Sequence, residues 1–246
     1  MPHKPSAHLQ QLFDALLRSI KAQASPLQAP REGNEVGCFS YGLSMPVLRA
    51  IFRQLKPDFR KLSLSESLTL AELFFEASAY EVRNMAIFLL ALRVSEFELT
   101  HLEQIDRFCA ACTSWGLVDD FAINVLQPLL RKYPQQVLQL VEGWTRSPIR
   151  WKRRASMVIF TRNIGASGEF SQETLRLCEA LLWDQDDLVQ KAVGWALKDT
   201  MRGAKERVLP YIKNLRRRGI SSTITLYAIR DLKGAERQEI LGIHPL

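Results

Sequence analysis

The sequence predicts an all-α chain built as a solenoid of about six helical hairpins, and three observations carry that prediction. Strand signals are nearly absent: no segment sustains apolar/polar alternation, and no Asn-Gly or Asp-Gly pair offers a hairpin turn. Apolar residues instead recur at three- and four-residue spacing along most of the chain. An alanine followed by mostly apolar residues also returns at Ala50, Ala86, Ala122, Ala155, Ala192 and Ala228, at intervals of 36, 36, 33, 37 and 36 residues. A period of about 36 residues accommodates two helices and two turns. A small side chain at one fixed place in each unit lets two helices approach closely.

The elements follow in order. Met1 to Ile20 reads as an amphipathic helix and lacks a basic-then-apolar signal pattern. Ser65-Glu66-Ser67-Leu68 leads into Leu70, Leu73, Phe74 and Ala77, which share one helix face. Pro134 and Pro210 are placed to open helices. Ser147 followed by Pro148 reads as a cap and a first-turn proline, with the helix running through Trp151 to Ile159. Gly165, Gly203 and Gly219 are expected to end or separate helices. Residues 1–246 are expected to form a single repeat domain, with an N-terminal helix and loop over 1–43 and repeats over 44–246.

Composition narrows the class. Of 246 residues, 47% are hydrophobic and 24% charged, which excludes intrinsic disorder and low complexity. Four cysteines do not make a disulfide scaffold, so a reducing, cytoplasmic compartment is expected. The longest unbroken apolar run, Met85 to Leu92, is far short of a membrane span. A monomer without a membrane partner is expected.

The net charge of +7 is unevenly spread. Residues 1–123 carry 12 Lys/Arg against 14 Asp/Glu, a balance of −2, whereas residues 124–246 carry 21 against 12, a balance of +9. A half this basic points to a polyanionic partner. In a curved stack of hairpins, one helix of each unit lines a concave face that tracks an extended partner. Arg150, Lys152, Arg153, Arg154, Lys191 and Lys198 fall in or beside the second helix of the later units, and Arg216, Arg217 and Arg218 lie in the last connection. Spread over a concave basic face, they would meet phosphates at roughly 3.4 Å per strand step.

Several kinds of chemistry find no support. Walker-type phosphate loops, a dinucleotide fingerprint, His-Glu-x-x-His and a nucleophile elbow are missing. His3, His8, His101 and His244 are scattered. Cys109 and Cys112 have redox or zinc spacing but lack a second Cys/His pair nearby, and a helical setting would bury both. Neither a metal nor an organic cofactor is expected. The tryptophans say more. Trp115 and Asp119 are four apart on one predicted helix and project from the same face. An aromatic plane beside a carboxylate suits a cation. Trp144, Trp151 and Trp183 are expected in the core. Trp195 stands three residues after its repeat alanine, where other units carry Arg53, Leu89, Val125, Val158 and Asp231.

Thr113-Ser114-Trp115-Gly116-Leu117-Val118-Asp119 resembles the Trp-x-x-Val-Asp motif of the DNA alkylation repair family of AlkD-like DNA glycosylases. Trp144-Thr145-Arg146-Ser147 followed by Trp151-Lys152-Arg153-Arg154-Ala155 is similar to the family's Trp…Ser…Trp-x-Arg-Arg stretch. The run Val189 to Lys198, with Gly194-Trp195, resembles its Lys-Ala-x-Gly-Trp-x-Leu-Arg/Lys stretch. The resemblance covers about residues 80–200. It implies a right-handed HEAT-like solenoid and a monofunctional glycosylase that releases positively charged N3- and N7-alkylated purines from duplex DNA, without flipping the base. It implies a catalytic trio of Trp115, Asp119 and Trp195, and a backbone-gripping arginine at Arg154, with Arg153 the rival. Upstream, the family's Tyr-x-Lys…Phe-x-Phe-x-Gly segment is replaced by Arg31 to Gly42, which keeps the glycine but not the tyrosine or lysine. A non-catalytic solenoid binding DNA or RNA, and a protein-interaction scaffold, are the alternative readings.

Overall fold

The structure, a computed structural model, describes residues 6–24, 31–32 and 38–245. The chain forms two compact units, 1–128 and 129–246.

In the first unit, the Ser6 hydroxyl accepts the Leu9 N–H at 3.3 Å and opens α1 (Ala7–Gln23). Leu9, Leu12, Leu16 and Ile20 form its buried stripe, as the amphipathic pattern predicts. A minimal antiparallel ladder follows, β1 (Arg31–Glu32) with β2 (Phe39–Ser40), pairing Arg31 with Ser40 and Glu32 with Phe39. Next come α2 (Met45–Phe59), α3 (Leu64–Glu76) and α4 (Tyr80–Arg93). Ser63 and Glu66 close a capping box at the start of α3, so this helix begins just before the predicted signal. Phe74 on α3 meets Phe13 of α1 at 5.9 Å and Phe59 of α2 at 6.3 Å, tying three helices into one core. Two single-turn 3₁₀ segments lead to α5 (Leu102–Ala111). Then α6 (Trp115–Phe121) passes through a π turn, Ala122–Leu126, into α7 (Gln127–Lys132), within which the first unit ends at residue 128.

The second unit holds α8 (Pro134–Trp144), α9 (Arg150–Val158), α10 (Arg162–Ser167), α11 (Ser171–Glu179), α12 (Asp187–Gly203), α13 (Lys205–Arg217), α14 (Ser222–Ala228) and α15 (Gly234–Leu241).

The repeat alanines mark real structural positions. Each falls on the second helix of a hairpin: α2, α4 and the π turn in the first unit, then α9, α12 and α14 in the second. Within each unit these helices pack on one another in order. Ala86, Ala122, Ala155, Ala192 and Ala228 are buried, and only Ala50, on the helix that begins the row, is half-exposed. The position three residues further on follows the same logic. Leu89, Val125 and Val158 are buried, Trp195 is half-buried, and Arg53 and Asp231 are exposed.

Four local expectations are corrected. Pro210 opens no helix and sits inside α13, where burial of Val208, Ile212 and Leu215 outweighs one missing backbone bond. Gly165 is buried within α10, and Gly168, at φ 71°, ends that helix. Ser147 accepts the Ile149 N–H at 3.1 Å, so the turn holds, but α9 starts only at Arg150. Trp183 is not core. It lies in the turn after α11 with 63% of its surface exposed, whereas Trp144 and Trp151 are buried as expected. Among the described residues, no helix is long and apolar enough to cross a membrane.

Candidate active site

The first unit contributes Trp115 and Asp119. Ser114 caps α6, its hydroxyl accepting the Leu117 N–H at 3.3 Å. The approach to that cap is tied down. Arg83 on α4 donates to Thr113 Oγ1 at 2.8 Å and to the Ala77 carbonyl at 2.6 Å, and Cys38 Sγ lies 3.4 Å from the same threonine hydroxyl. Trp115 therefore stands at a fixed first position of the helix, with 51% of its surface exposed.

One turn later, on the same face, Asp119 is 8% exposed. Burial of this carboxylate exceeds what the spacing predicts. Tyr80 at the start of α4 rests against Gly116: a Cβ added there would meet the tyrosine hydroxyl at 2.7 Å, so a larger residue would have to displace the end of that side chain. Burial pushes the Tyr80 phenol above its ordinary pKa. Asn84 opposes that shift, and the Asp120, Glu81 and Asp119 carboxylates reinforce it. The π turn then starts three residues after Asp119, with the Ala122 N–H shared between the Asp119 and Val118 carbonyls. Such a turn inserts a residue into the helical register, so the faces before and after it differ. No sequence signal marks the π turn. Tyr80 is likewise silent in the sequence, since its link to Gly116 spans 36 positions.

The segment that departs from the family pattern is partly visible. Residues 33–37 lie outside the described residues. Beyond them, Ser40 Oγ donates to the buried Glu81 carboxylate at 2.7 Å, and the Leu43 N–H donates to the same oxygen at 3.3 Å. Glu81 in turn lifts the pKa of Tyr41, already raised by burial. The chain before α2 is thus pinned to α4, the helix that carries Tyr80.

The second unit contributes Trp195, half-buried on α12. That helix starts firmly: the Asp186 carboxylate accepts the Leu188 and Val189 N–H groups at 2.9 and 3.3 Å. Arg153 and Arg154 of α9 fasten the turn before it. Arg153 grips Asp184 through two bonds, at 2.6 and 3.3 Å, and donates to the Ser147 carbonyl at 2.9 Å. Arg154 is only 5% exposed, and its guanidinium donates to the Leu188 carbonyl. Arg150 adds an ion pair with Asp186 at 3.5 Å and stacks on Trp151. Asp184 and Asp186 are the residues that sequence reasoning passed over, because their partners lie more than thirty positions away.

The other basic candidates are also engaged. Lys191 pairs with Asp187 at 2.5 Å, and Lys198 with Asp199 at 2.8 Å. Arg216 and Arg217 form the last turn of α13 and Arg218 caps it, so the cluster ends a helix where a connection was expected. Arg216 donates to the Ile243 carbonyl at 3.3 Å, and Arg218 makes a fork with Glu179 at 3.0 Å on each arm. Lys152 is half-buried and has an interacting neighbour, and Arg217 is exposed. Cys109 and Cys112 are both buried, and burial lifts the Cys112 thiol far above the thiolate range. Among the described residues, no group of three or more His, Cys, Asp or Glu side chains is arranged to hold a metal ion.

A helical-hairpin repeat carrying Trp115 with Asp119 in one unit and Trp195 beyond paired arginines in the other has a counterpart among known families. The profile described as "DNA alkylation repair enzyme" matches residues 15–232. The chain belongs to the DNA alkylation repair enzyme family. Solved structures agree in fold. A "predicted DNA alkylation repair enzyme" from Enterococcus faecalis superposes with a TM-score of 0.66 at 17% identity, covering 92% of this chain and 96% of its own. AlkD2 from Streptococcus mutans gives 0.62 at 19% identity, covering 91% and 100%. No curated protein matches the sequence. For this DNA alkylation repair family member, the common architecture is thus the helical repeat itself.

Proposed function

We propose that the chain is a DNA glycosylase that hydrolyses the N-glycosidic bond of positively charged, N3- or N7-alkylated purines in duplex DNA. The observation that carries this reading is the pairing of an exposed indole with a carboxylate one turn away on a rigidly capped helix. The alkylated base already bears positive charge, so the C1′–N bond breaks with its electron pair leaving on a base that departs neutral. The sugar develops oxocarbenium character. Asp119 stabilises that charge and takes a proton from the water that adds to C1′. Its largely desolvated setting strengthens the attraction, since opposite charges interact more strongly where water is excluded. The Trp115 face packs on the sugar and favours the cation, and Trp195 is assigned the second ring. Arg154 and Arg153 shape the turn that starts the Trp195 helix. The reading calls for no cofactor.

The small exposure of Asp119 also favours a second reading, a repeat protein that holds damaged DNA without cutting it. Base release separates the two. Wild-type protein is incubated with duplex containing 7-methylguanine, and freed bases are measured by chromatography. The glycosylase reading expects release, a fall of about 10²–10³-fold in Asp119→Asn, and unchanged duplex binding by that variant. Normal turnover by Asp119→Asn overturns it, and so does the lack of any release by wild type.

A further inference from the structure

Apart from the candidate active site, the first unit contains a groove of about 530 Å³ whose lining includes Arg49, Phe52, Arg53, Lys56, Phe88 and Asn124. We propose that this groove binds a single-stranded segment of nucleic acid, with the cations on its phosphates and an unpaired base on its aromatic floor. The inference rests on the nucleic-acid reading above and adds a second contact to it.

Three features converge. The cations Arg49, Arg53 and Lys56 stand at i, i+4 and i+7 on α2, one stripe with successive rises of about 6 and 4.5 Å. None has an ion-pair or hydrogen-bond partner among the described residues, although this unit carries more acids than bases. Free cations in a row call for a row of anions. The floor is also repeated: Phe52, Phe88 and Asn124 are each the second residue after a repeat alanine, on three consecutive second helices. The two phenylalanine rings meet edge to face at 5.4 Å and both remain half-exposed. A duplex presents phosphates, sugars and base edges to such a surface but keeps its base faces stacked inside, so an aromatic floor finds no stacking partner. An unpaired nucleotide supplies both parts, a charged backbone and a π-face, and the groove volume lies within the roughly 300–1,000 Å³ of ligand sites. An acidic peptide would satisfy the cations and leave the rings without a flat partner.

Fluorescence anisotropy with a labelled eight-residue oligothymidylate, a blunt duplex and an oligoglutamate peptide tests this between about 50 and 200 mM salt. Arg49→Gln/Arg53→Gln/Lys56→Gln is expected to weaken oligothymidylate binding at least 10-fold. It should reduce the slope of log affinity against log salt by about 2, the value for three lost single-strand contacts. Phe52→Leu, which keeps an apolar side chain but removes the ring, should weaken the oligothymidylate at least 5-fold. It should leave both the salt slope and duplex binding unchanged. Equal oligothymidylate binding by wild type and the triple variant overturns the proposal. Equal loss of strand and duplex in Phe52→Leu overturns it, as does tighter binding of the peptide than of the oligothymidylate. Circular dichroism confirms that each variant is folded. Loss of base release with intact groove binding refutes the glycosylase reading alone, and the reverse pattern refutes the groove alone.

Discussion

The two units invert what their charge counts imply. The second has a balance of +9, yet six of its eight basic site candidates are engaged by carboxylates or carbonyls, among them Arg153 with Asp184 and Arg218 with Glu179. The first has a balance of −2, yet it presents Arg49, Arg53 and Lys56 in one unpartnered stripe. Net charge sets a distant field, but contact chemistry depends on which cations are left unsatisfied. A basic residue used for holding two loops together is only partly available to a phosphate.

The sharpest way to break this comparison is to remove one arginine from each unit. Arg153→Ala leaves Asp184, 8% exposed at its side chain, without its fork and frees the Ser147 carbonyl. A fully buried pair broken this way costs about 3–5 kcal/mol. Arg153 is partly exposed, so a loss of about 2–3 kcal/mol is expected from urea unfolding. Arg53→Ala in the first unit should stay within about 0.5 kcal/mol, as for surface changes elsewhere. Similar losses in both variants would erase the distinction between engaged and free cations.

A second test compares the repeat positions. Ala192 is fully buried on α12, and Ala50 is half-exposed on α2. Ala192→Leu forces three added carbons between packed helices and should cost about 1–3 kcal/mol. Ala50→Leu should change stability by less than about 1 kcal/mol, because its side chain has room to turn outward. Thermal melting of both variants measures the difference. Equal effects would mean that the spacing of alanines, rather than their contacts, is the only shared feature.

The alanine test also shows why the fold was legible. Helix-to-helix packing imposes a small residue once per hairpin, and that constraint is written locally, so the period survives in sequence. The site was legible in part. The i, i+4 relation of Trp115 and Asp119 depends only on helix geometry, and it holds. The burial of Asp119, the Tyr80 ring against Gly116 and the π turn that follows leave no local trace in the sequence. The role of Arg153 depends on Asp184, 31 positions away. Trp183 misled for a similar reason: apolar character alone does not distinguish a core position from a turn held in place by its neighbours. The groove residues Phe52, Phe88 and Asn124 each stand two places after a repeat alanine, and only that shared register gives them meaning.

The smallest expected effect concerns acid stability of the second unit. The Arg218 fork, helped by the Tyr211 hydroxyl at 2.8 Å, holds the Glu179 carboxyl below its ordinary range. Arg202 does the same for Asp231. A carboxyl whose folded pKa is depressed stabilises the fold fully above its unfolded pKa, about 4, and loses that contribution as pH falls through the lower folded value. Both pairs are substantially solvent-exposed, so screening keeps each contribution below about 1 kcal/mol. Melting temperatures of wild type and Glu179→Gln, compared from pH 6 to pH 2.5, should therefore differ slightly at pH 6 and converge at the acid end. A difference that grows on acidification would have the wrong sign for a depressed carboxyl. It would show that Arg218 and Glu179 meet without stabilising one another, leaving Arg218 as available to a phosphate as the cations of α2.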